Sequence, residues 1–140
     1  MQHPLPGFPV TYKYGVPDNS YKLTGHHVGT DYGAPIGTAI KAPTTGEIVL
    51  VGYSKILGNY FHYQYIHDGK PYTTRFLHLS KMPKRGKYNE GNDLGYTGNT
   101  GQSTGAHCHV DVWKDRVRTD IANRSNWMTL TEDPEIHFRN

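Results

Sequence analysis

The sequence predicts a mainly β fold, a compact antiparallel β-sheet domain with few or no helices. Its 140 residues include 16 glycines and 9 prolines, a composition typical of many short strands joined by tight turns. The 11 tyrosines suit half-buried strands, in which aromatic residues are enriched. Helical periodicity is nearly absent, because apolar residues do not recur at every third or fourth position over long stretches.

Most of the predicted strands lie in the middle of the chain. A run of apolar and β-branched residues at 47–53 predicts the first long strand. The stretch at 60–67 is joined to its partner at 71–79 by Asp68 and Gly69, a dipeptide typical of two-residue hairpin turns. Shorter strands are predicted at 10–13, 93–96 and 107–113.

The length of the chain is that of one domain, 1–140, and we expect a monomer. Prolines predict an irregular N-terminal segment at 1–24, residues 25–113 carry the motifs, and 114–140 is expected to be an irregular tail. A domain of this size buries enough apolar surface to fold without disulfides, and Cys108 is the lone cysteine.

Charge and hydropathy exclude several classes of function. The net charge of +3, from 15 basic minus 12 acidic residues, is too small to indicate nucleic-acid binding, although it suits a polyanionic surface. No apolar run approaches the ~20 residues of a membrane-spanning helix, so we expect no membrane insertion. The first ten residues lack the features of a signal peptide, so action outside the cytoplasm would require either release by other means or a leader that has already been removed.

Two histidines begin the last predicted strand. Residues two apart on a strand project from the same face, so His107 and His109 point together and Cys108 points the other way. Neutral imidazoles are good zinc ligands. By itself the H-x-H pattern is a weak signal, because two solvent-exposed histidines would look the same.

A second pair of candidate ligands lies in GHHVGTDYG at 25–33. His27 and Asp31 are four residues apart, which places both side chains on one face of a strand. A helix would do the same, but Gly29 and its neighbours disfavour one. His27 rather than His26 is the candidate, because only His27 has an aspartate four residues later.

Two histidines and one aspartate make three protein ligands and leave one position of a tetrahedral zinc site open, as in catalytic sites. A hydrolytic site also needs a base and a group that stabilises the developing oxyanion. The motif H-E-x-x-H, whose glutamate serves as base, is absent. A spare histidine of the H-x-H pair, or His78 at the end of a predicted strand, would fill that role.

These segments resemble the M23 family of zinc endopeptidases, the lysostaphin and LytM-like group. The matching pieces are GHHVGTDYGAPIGTAIKAPTTGEIV at 25–49, GNYFHYQYIHDG at 58–69, TTRFLHLS at 73–80 and GNDLGYTGNTGQSTGAHCHVDVW at 91–113. They follow the family's order, and several separate motifs agree in sequence and spacing. The resemblance implies a central groove across the sheet and one Zn2+ per chain.

Residue by residue, the resemblance implies zinc ligands His27, Asp31 and His109 and a catalytic pair, His107 and His78. His107 would be the general base for the attacking water. His78 would stabilise the tetrahedral intermediate or hold the water, although the sequence leaves the two roles interchangeable. The family's usual Leu between the last two histidines is replaced by a cysteine, which touches no ligand.

The activity implied is hydrolysis of peptide bonds in stem or cross-link peptides of bacterial peptidoglycan, outside the cytoplasm, by a wall-lytic enzyme such as a phage endolysin. A non-catalytic module that binds the wall or activates an amidase is the alternative, and the five filled positions disfavour it. A lipoyl-like carrier domain is also disfavoured, because no lysine stands at the required hairpin tip. The remaining histidines are expected to be structural or exposed: His3, His26, His62, His67 and His137.

Overall fold

Antiparallel strands dominate the computed structural model, which describes residues 1–22, 24–114 and 127–139. The strands are, in chain order, β1 Val10–Tyr12, β2 Thr30–Tyr32, β3 Ala39–Lys41, β4 Gly46–Ser54, β5 Gly58–His67, β6 Lys70–Leu79, β7 Gly86–Tyr88, β8 Asp93–Tyr96, β9 Cys108–Lys114 and β10 Thr131–Glu132. Two helices of four residues each follow β9: α1 Trp127–Leu130 and α2 Pro134–His137. Among the described residues no helix is long and apolar enough to span a membrane.

One large sheet contains most of the strands. Its order is β1-β2-β9-β6-β5-β4-β7, with β10 added to β9, and every neighbouring pair is antiparallel. A small second sheet pairs β3 with β8. The predicted antiparallel, mainly β fold is therefore confirmed.

The hairpin between β5 and β6 forms where the sequence predicts it. Asp68 and Gly69 both have positive φ, 51° and 75°. Two consecutive residues with positive φ are what a two-residue hairpin turn of type I′ requires, and Asp-Gly accepts this conformation at low cost. The turn sets the register that pairs β5 with β6 along their length.

The central strands separate an apolar face from a polar one. On β9, Cys108 and Val110 are fully buried in the apolar core, which confirms that the cysteine side chain points away from the histidines beside it. His109 and Asp111 alternate with them and project from the opposite face. The core members with the largest side chains include Tyr32, Phe61, Tyr63, Phe76 and Phe138.

Both ends of the chain contribute to this framework. In the N-terminal segment, β1 pairs with β2 and Leu5 is fully buried in the core. The predicted irregular tail contains α1, β10 and α2, and Phe138 joins the core, while residues 115–126 lie outside the described residues. Such short elements have little stability of their own, so packing on β9 rather than local sequence explains them.

Candidate metal and catalytic site

Three candidate metal ligands meet where β2 and β9 lie side by side. The antiparallel register pairs Asp31 with His109, and His27 lies just before β2. His109 Nδ1 is 3.0 Å from Asp31 Oδ1 and 3.1 Å from His27 Nε2. His27 Nε2 is 3.3 Å from the same carboxylate oxygen. Ligand atoms 2.0–2.1 Å from a tetrahedral zinc ion would be about 3.3 Å apart, so the triangle fits one ion.

The His27 and His109 rings each have an outer nitrogen, which faces away from Asp31, and an inner nitrogen, which faces it. The hydrogen-bond partner of the outer nitrogen determines whether the inner nitrogen carries a lone pair. His27 Nδ1 lies 3.0 Å from the carbonyl oxygen of Lys13, which only accepts hydrogen bonds, so this nitrogen carries the proton. His109 Nε2 donates in the same way to Asp111 Oδ2 at 2.9 Å. In the neutral rings the two inner nitrogens are acceptors that face each other and the Asp31 carboxylate. A cation bound between them satisfies all three groups.

The electrostatics of this cluster also favour positive charge. Burial opposes ionisation of the Asp31 carboxyl group, but its interactions with the His109 and His27 imidazoles outweigh burial and hold its pKa well below the usual range. Burial likewise opposes protonation of His109. The carboxylates of Asp111 and Asp31 outweigh burial there and raise the pKa of His109 to about 9. A metal ion would replace that proton.

A buried carboxylate supports His109 from behind. Asp111 is 0% exposed and accepts hydrogen bonds from His109 Nε2, from Trp113 Nε1 at 2.7 Å and from Arg75 Nη2 at 2.8 Å. Burial would raise the pKa of Asp111, but the Arg75 guanidinium and the His109 hydrogen bond keep it well below its usual value. A carboxylate in this position fixes the tautomer and orientation of a metal-binding imidazole.

The two other predicted site histidines lie beside the ligands. The rings of His78 and His107 are 4.9 Å apart, and His107 Nε2 is 3.8 Å from Asp31 Oδ2. His78, at the end of β6, has a φ of 64°, a left-handed conformation that is uncommon for residues other than glycine. Strained backbone of this kind clusters at functional sites.

Backbone carbonyl groups orient this pair as well. His78 Nδ1 donates to the Thr100 carbonyl oxygen at 2.8 Å, and His107 Nδ1 donates to the Gly105 carbonyl oxygen at 2.9 Å. Each ring therefore keeps Nε2 as its acceptor when it is neutral. Burial lowers the pKa of His78 to about 4, so its ring is neutral at pH 7.

The structure thus brings together all five residues that the sequence singles out, although their roles remain predictions. Sequence reasoning missed Asp111 and Arg75 as parts of the site. A signal for Asp111 was available, because it lies two residues after His109 on the same face of a strand. No sequence pattern linked Arg75, or Tyr12, whose ring stacks 4.3 Å from that of His27, to the site.

A cavity of about 360 Å³ opens next to His78 and His109. Arg75 and Lys22 also line it, and apolar side chains from the β4–β5 connection and from β6 form part of its wall. The cavity therefore lies beside one of the candidate metal ligands, His109, and one of the predicted catalytic pair, His78.

Comparison with known proteins shows the family. The sequence matches the model of peptidase family M23 over residues 25–121. The chain belongs to peptidase family M23. Among M23 relatives, it is 34% identical over 122 residues to the peptidoglycan DD-endopeptidase ShyA of Vibrio cholerae serotype O1, which covers 80% of this chain. The chain spans 28% of the length of ShyA and 22% of that of the related ShyC.

Solved structures of peptidases share the M23 fold seen here. The catalytic domain of the antimicrobial peptidase lysostaphin from Staphylococcus simulans is similar with a TM-score of 0.74 and 27% identity, covering 97% of this chain and 96% of that one. A zinc-containing peptidase from Vibrio cholerae is similar with a TM-score of 0.69 and 27% identity, over 94% of this chain and 38% of that one.

Proposed function

We propose that this chain is a zinc-dependent endopeptidase that hydrolyses peptide bonds in the stem or cross-link peptides of bacterial peptidoglycan. Membership of family M23 supports peptidase activity, and the similarity to a peptidoglycan DD-endopeptidase supports the substrate class. One observation carries the proposal. The acceptor atoms of His27, Asp31 and His109 converge on one point beside the pair His78 and His107.

Zinc suits this donor set. Two imidazole nitrogens and one carboxylate oxygen are typical of catalytic zinc, whereas magnesium and calcium prefer oxygen ligands. His27, Asp31 and His109 would hold the ion. When bound, Zn2+ lowers the pKa of water and polarises the carbonyl group under attack.

His107 is assigned as the general base. Its Nδ1–H is held by the Gly105 carbonyl group, so Nε2 is free to take a proton from the attacking water. That nitrogen lies 3.8 Å from Asp31 Oδ2, which places it at the edge of the metal cluster. The same nitrogen then returns the proton to the leaving amine.

His78 is assigned as the residue that holds the attacking water. Because its ring is buried and its pKa is lowered to about 4, it is neutral at pH 7 and its Nε2 accepts a hydrogen bond. A neutral acceptor does not stabilise an oxyanion, but it orients a water molecule between itself and His107. The geometry therefore supports the water-holding role over the stabilising one.

The test combines metal content with lysis. We expect one zinc per chain by elemental analysis, together with loss of turbidity of purified peptidoglycan that a chelator abolishes and added zinc restores. Mass spectrometry of the released fragments should show newly formed amino and carboxyl ends within the peptides. His107→Ala is the matched control and should bind zinc without lysing peptidoglycan.

Two results would overturn the proposal. Zinc-loaded protein that releases no peptide fragments from several types of peptidoglycan would favour a non-catalytic wall-binding or amidase-activating module. A folded protein that binds no zinc would show that the ligand assignment is wrong.

We also propose that the protein acts on the cell wall, outside the cytoplasm, as a monomeric lytic enzyme of the phage endolysin kind. The net charge of +3 supports approach to the anionic wall. Light scattering tests the oligomeric state, and the fall in viable cells after addition of the purified protein tests lytic action.

A further inference from the structure

We infer that a second cavity, between strand β8 and the loop that follows β6, binds a sugar of the peptidoglycan glycan strand. The chain would then cleave stem or cross-link peptides faster when they still carry their sugars than when the same peptides are free. This inference rests on the proposed endopeptidase function and specifies its substrate.

The first step is the size and the apolar lining of this cavity, the β8 pocket. It encloses about 290 Å³, close to the lower limit of roughly 300 Å³ for small-molecule sites in proteins, so it suits a group the size of one sugar unit. Tyr88, Leu94 and Tyr96 are among the residues that line it. A tyrosine ring presents a large apolar face with a polar edge. The C–H groups on one face of a sugar ring pack against such a surface, while its hydroxyl groups remain free to form hydrogen bonds.

The second step is the mixture of polar groups in the same pocket. Lys81 and Lys84 line it as hydrogen-bond donors, and Asp93 lines it as an acceptor. The Lys81 ammonium group lies 5.4 Å from the centre of the Tyr96 ring, so a donor stands beside an aromatic face. A sugar hydroxyl group both donates and accepts, whereas a phosphodiester only accepts and would be repelled by the Asp93 carboxylate. The pocket therefore favours a sugar over a polyanion.

The third step is the fixed shape of the pocket wall. The backbone N–H and the hydroxyl group of Ser80 donate to the Tyr96 carbonyl oxygen at 3.1 and 3.3 Å. Further along the loop, the Tyr88 hydroxyl group donates to the Lys84 carbonyl oxygen at 2.6 Å. These hydrogen bonds hold the loop against β8 on both sides of the pocket. A ligand that enters the pocket does not first have to order the loop, and this lowers the cost of binding.

The fourth step is the distance to the catalytic pair. An antiparallel bridge pairs Gly98 with His107. Tyr96 precedes Gly98 by two residues and Lys81 follows His78 by three, which correspond to about 7 and 10 Å of extended chain. The pocket therefore lies about two or three extended peptide residues from His78 and His107. A sugar bound there would direct its own stem peptide toward the catalytic pair.

The experiment compares two forms of one substrate with the zinc-loaded protein. The first is a cross-linked dimer that a muramidase releases from peptidoglycan, with a disaccharide on each stem peptide. The second is the same dimer after an amidase has removed the disaccharides, and the amino groups of both forms are acetylated so that they do not differ in amine charge. We expect kcat/KM for the first form to exceed that for the second by about tenfold, the effect of roughly one aromatic contact with one hydrogen bond.

Variants of the pocket test which side chains cause that ratio. Tyr96→Ala should reduce it to about twofold or less, whereas Tyr96→Phe should keep most of it because the ring remains. Lys81→Met should lower the ratio by about threefold, since it removes one donor. Lys70→Met, at the opposite end of β6, is the matched control and should leave the ratio unchanged. Damage to the fold or loss of zinc lowers both rates together and so does not imitate these results.

A binding measurement tests the pocket without turnover. Calorimetric titration with peptide-free glycan strands should show binding to wild-type protein, and Tyr96→Ala should weaken it by about tenfold. Inorganic polyphosphate is the comparison ligand. Binding of polyphosphate without binding of glycan would overturn the inference in favour of a polyanion site.

The remaining outcomes separate this inference from the proposed function. Equal kcat/KM for the two dimers, or an unchanged ratio in folded Tyr96→Ala, would overturn the inference and leave the proposed function standing. Zinc-loaded protein that cleaves neither the dimers nor intact peptidoglycan would overturn the proposed function. In that case, glycan binding that depends on Tyr96 would still support the sugar pocket, and absence of glycan binding would overturn it too.

Discussion

Two clusters of histidines and carboxylates in this molecule look alike but differ in how their hydrogen bonds are satisfied. The metal cluster consists of His27, Asp31 and His109. The C-terminal cluster consists of His3 and His137 with Glu132, Glu135 and Tyr65. Both contain buried or partly buried imidazoles within 3 Å or so of a carboxylate oxygen.

In the C-terminal cluster each imidazole has one donor and one acceptor partner. His137 Nδ1 donates to Glu132 at 2.9 Å, and its Nε2 accepts from the Tyr65 hydroxyl group at 2.8 Å. His3 Nδ1 accepts from the Leu5 backbone N–H at 3.0 Å, and its Nε2 donates to Glu135 at 2.9 Å. These two partners satisfy both nitrogens of a neutral imidazole.

In the metal cluster the outer nitrogens have acceptor partners, so the inner nitrogens present lone pairs to each other and to a carboxylate. The comparison teaches that proximity to a carboxylate does not distinguish a ligand histidine from a structural one. What distinguishes them is the atom that faces the second ring nitrogen of the histidine.

Matched substitutions in the two clusters give the largest expected difference. His27→Ala should reduce zinc to well below one per chain and lower peptidoglycan hydrolysis by at least about 1000-fold, because a three-ligand site loses a ligand. His137→Ala should keep one zinc and near-normal turnover. Elemental analysis and turbidity assays measure both, and a zinc-free His137→Ala protein would contradict the comparison.

The catalytic pair should separate metal binding from turnover. His107→Ala and His78→Ala are each expected to lower kcat by about 100- to 10,000-fold, the usual contribution of positioned proton transfer. Both variants should keep one zinc per chain, since neither side chain is a proposed ligand. Full activity of His107→Ala at normal zinc content would show that its assignment as base is wrong.

Changing the carboxylate behind His109 should weaken zinc binding less than removing a zinc ligand does. Asp111→Asn replaces the carboxylate that orients His109 and is expected to weaken zinc binding by about 10- to 100-fold. Competition with a chelator of known affinity measures this. Glu132→Gln, which changes the carboxylate beside His137 in the same way, is the control and should leave zinc affinity unchanged.

The C-terminal cluster should show its effect in stability. His137→Ala removes hydrogen bonds to Glu132 and Tyr65 in a buried place and is expected to lower the free energy of unfolding by about 1–3 kcal/mol. Urea denaturation with saturating zinc measures the change. A variant as stable as wild type would mean that the tail does not depend on these contacts.

The pH dependence of that stability is the smallest expected effect. Burial lowers the pKa of His137, and the hydrogen bond to Glu132 offsets this only in part. Its folded pKa thus lies below the ordinary value of about 6.5, so the unfolded chain takes up the proton first as pH falls. The stability that His137 contributes above about pH 6.5 is therefore lost as the pH falls below that value. Between pH 7.5 and 5.5, metal-free wild type should lose more stability than metal-free His137→Phe in urea denaturation, and equal losses would contradict this.

The sequence by itself determined those features that depend on short-range periodicity. Strand alternation placed His107 and His109 on one face and Cys108 on the other, and Asp68-Gly69 predicted the hairpin. The spacing between His27 and Asp31 gave a pair of candidate ligands. Local geometry follows from residues close in the chain, so patterns within a few residues are enough to predict it.

Only the tertiary structure decided which distant groups complete the site. The β6–β9 register places Arg75 against Asp111, and β1 brings the Lys13 carbonyl group to His27. Packing on β9 likewise orders a tail that the sequence predicts to be irregular. These contacts join residues 14 to 36 positions apart, and their geometry depends on cross-strand register and core packing, which short-range patterns do not encode.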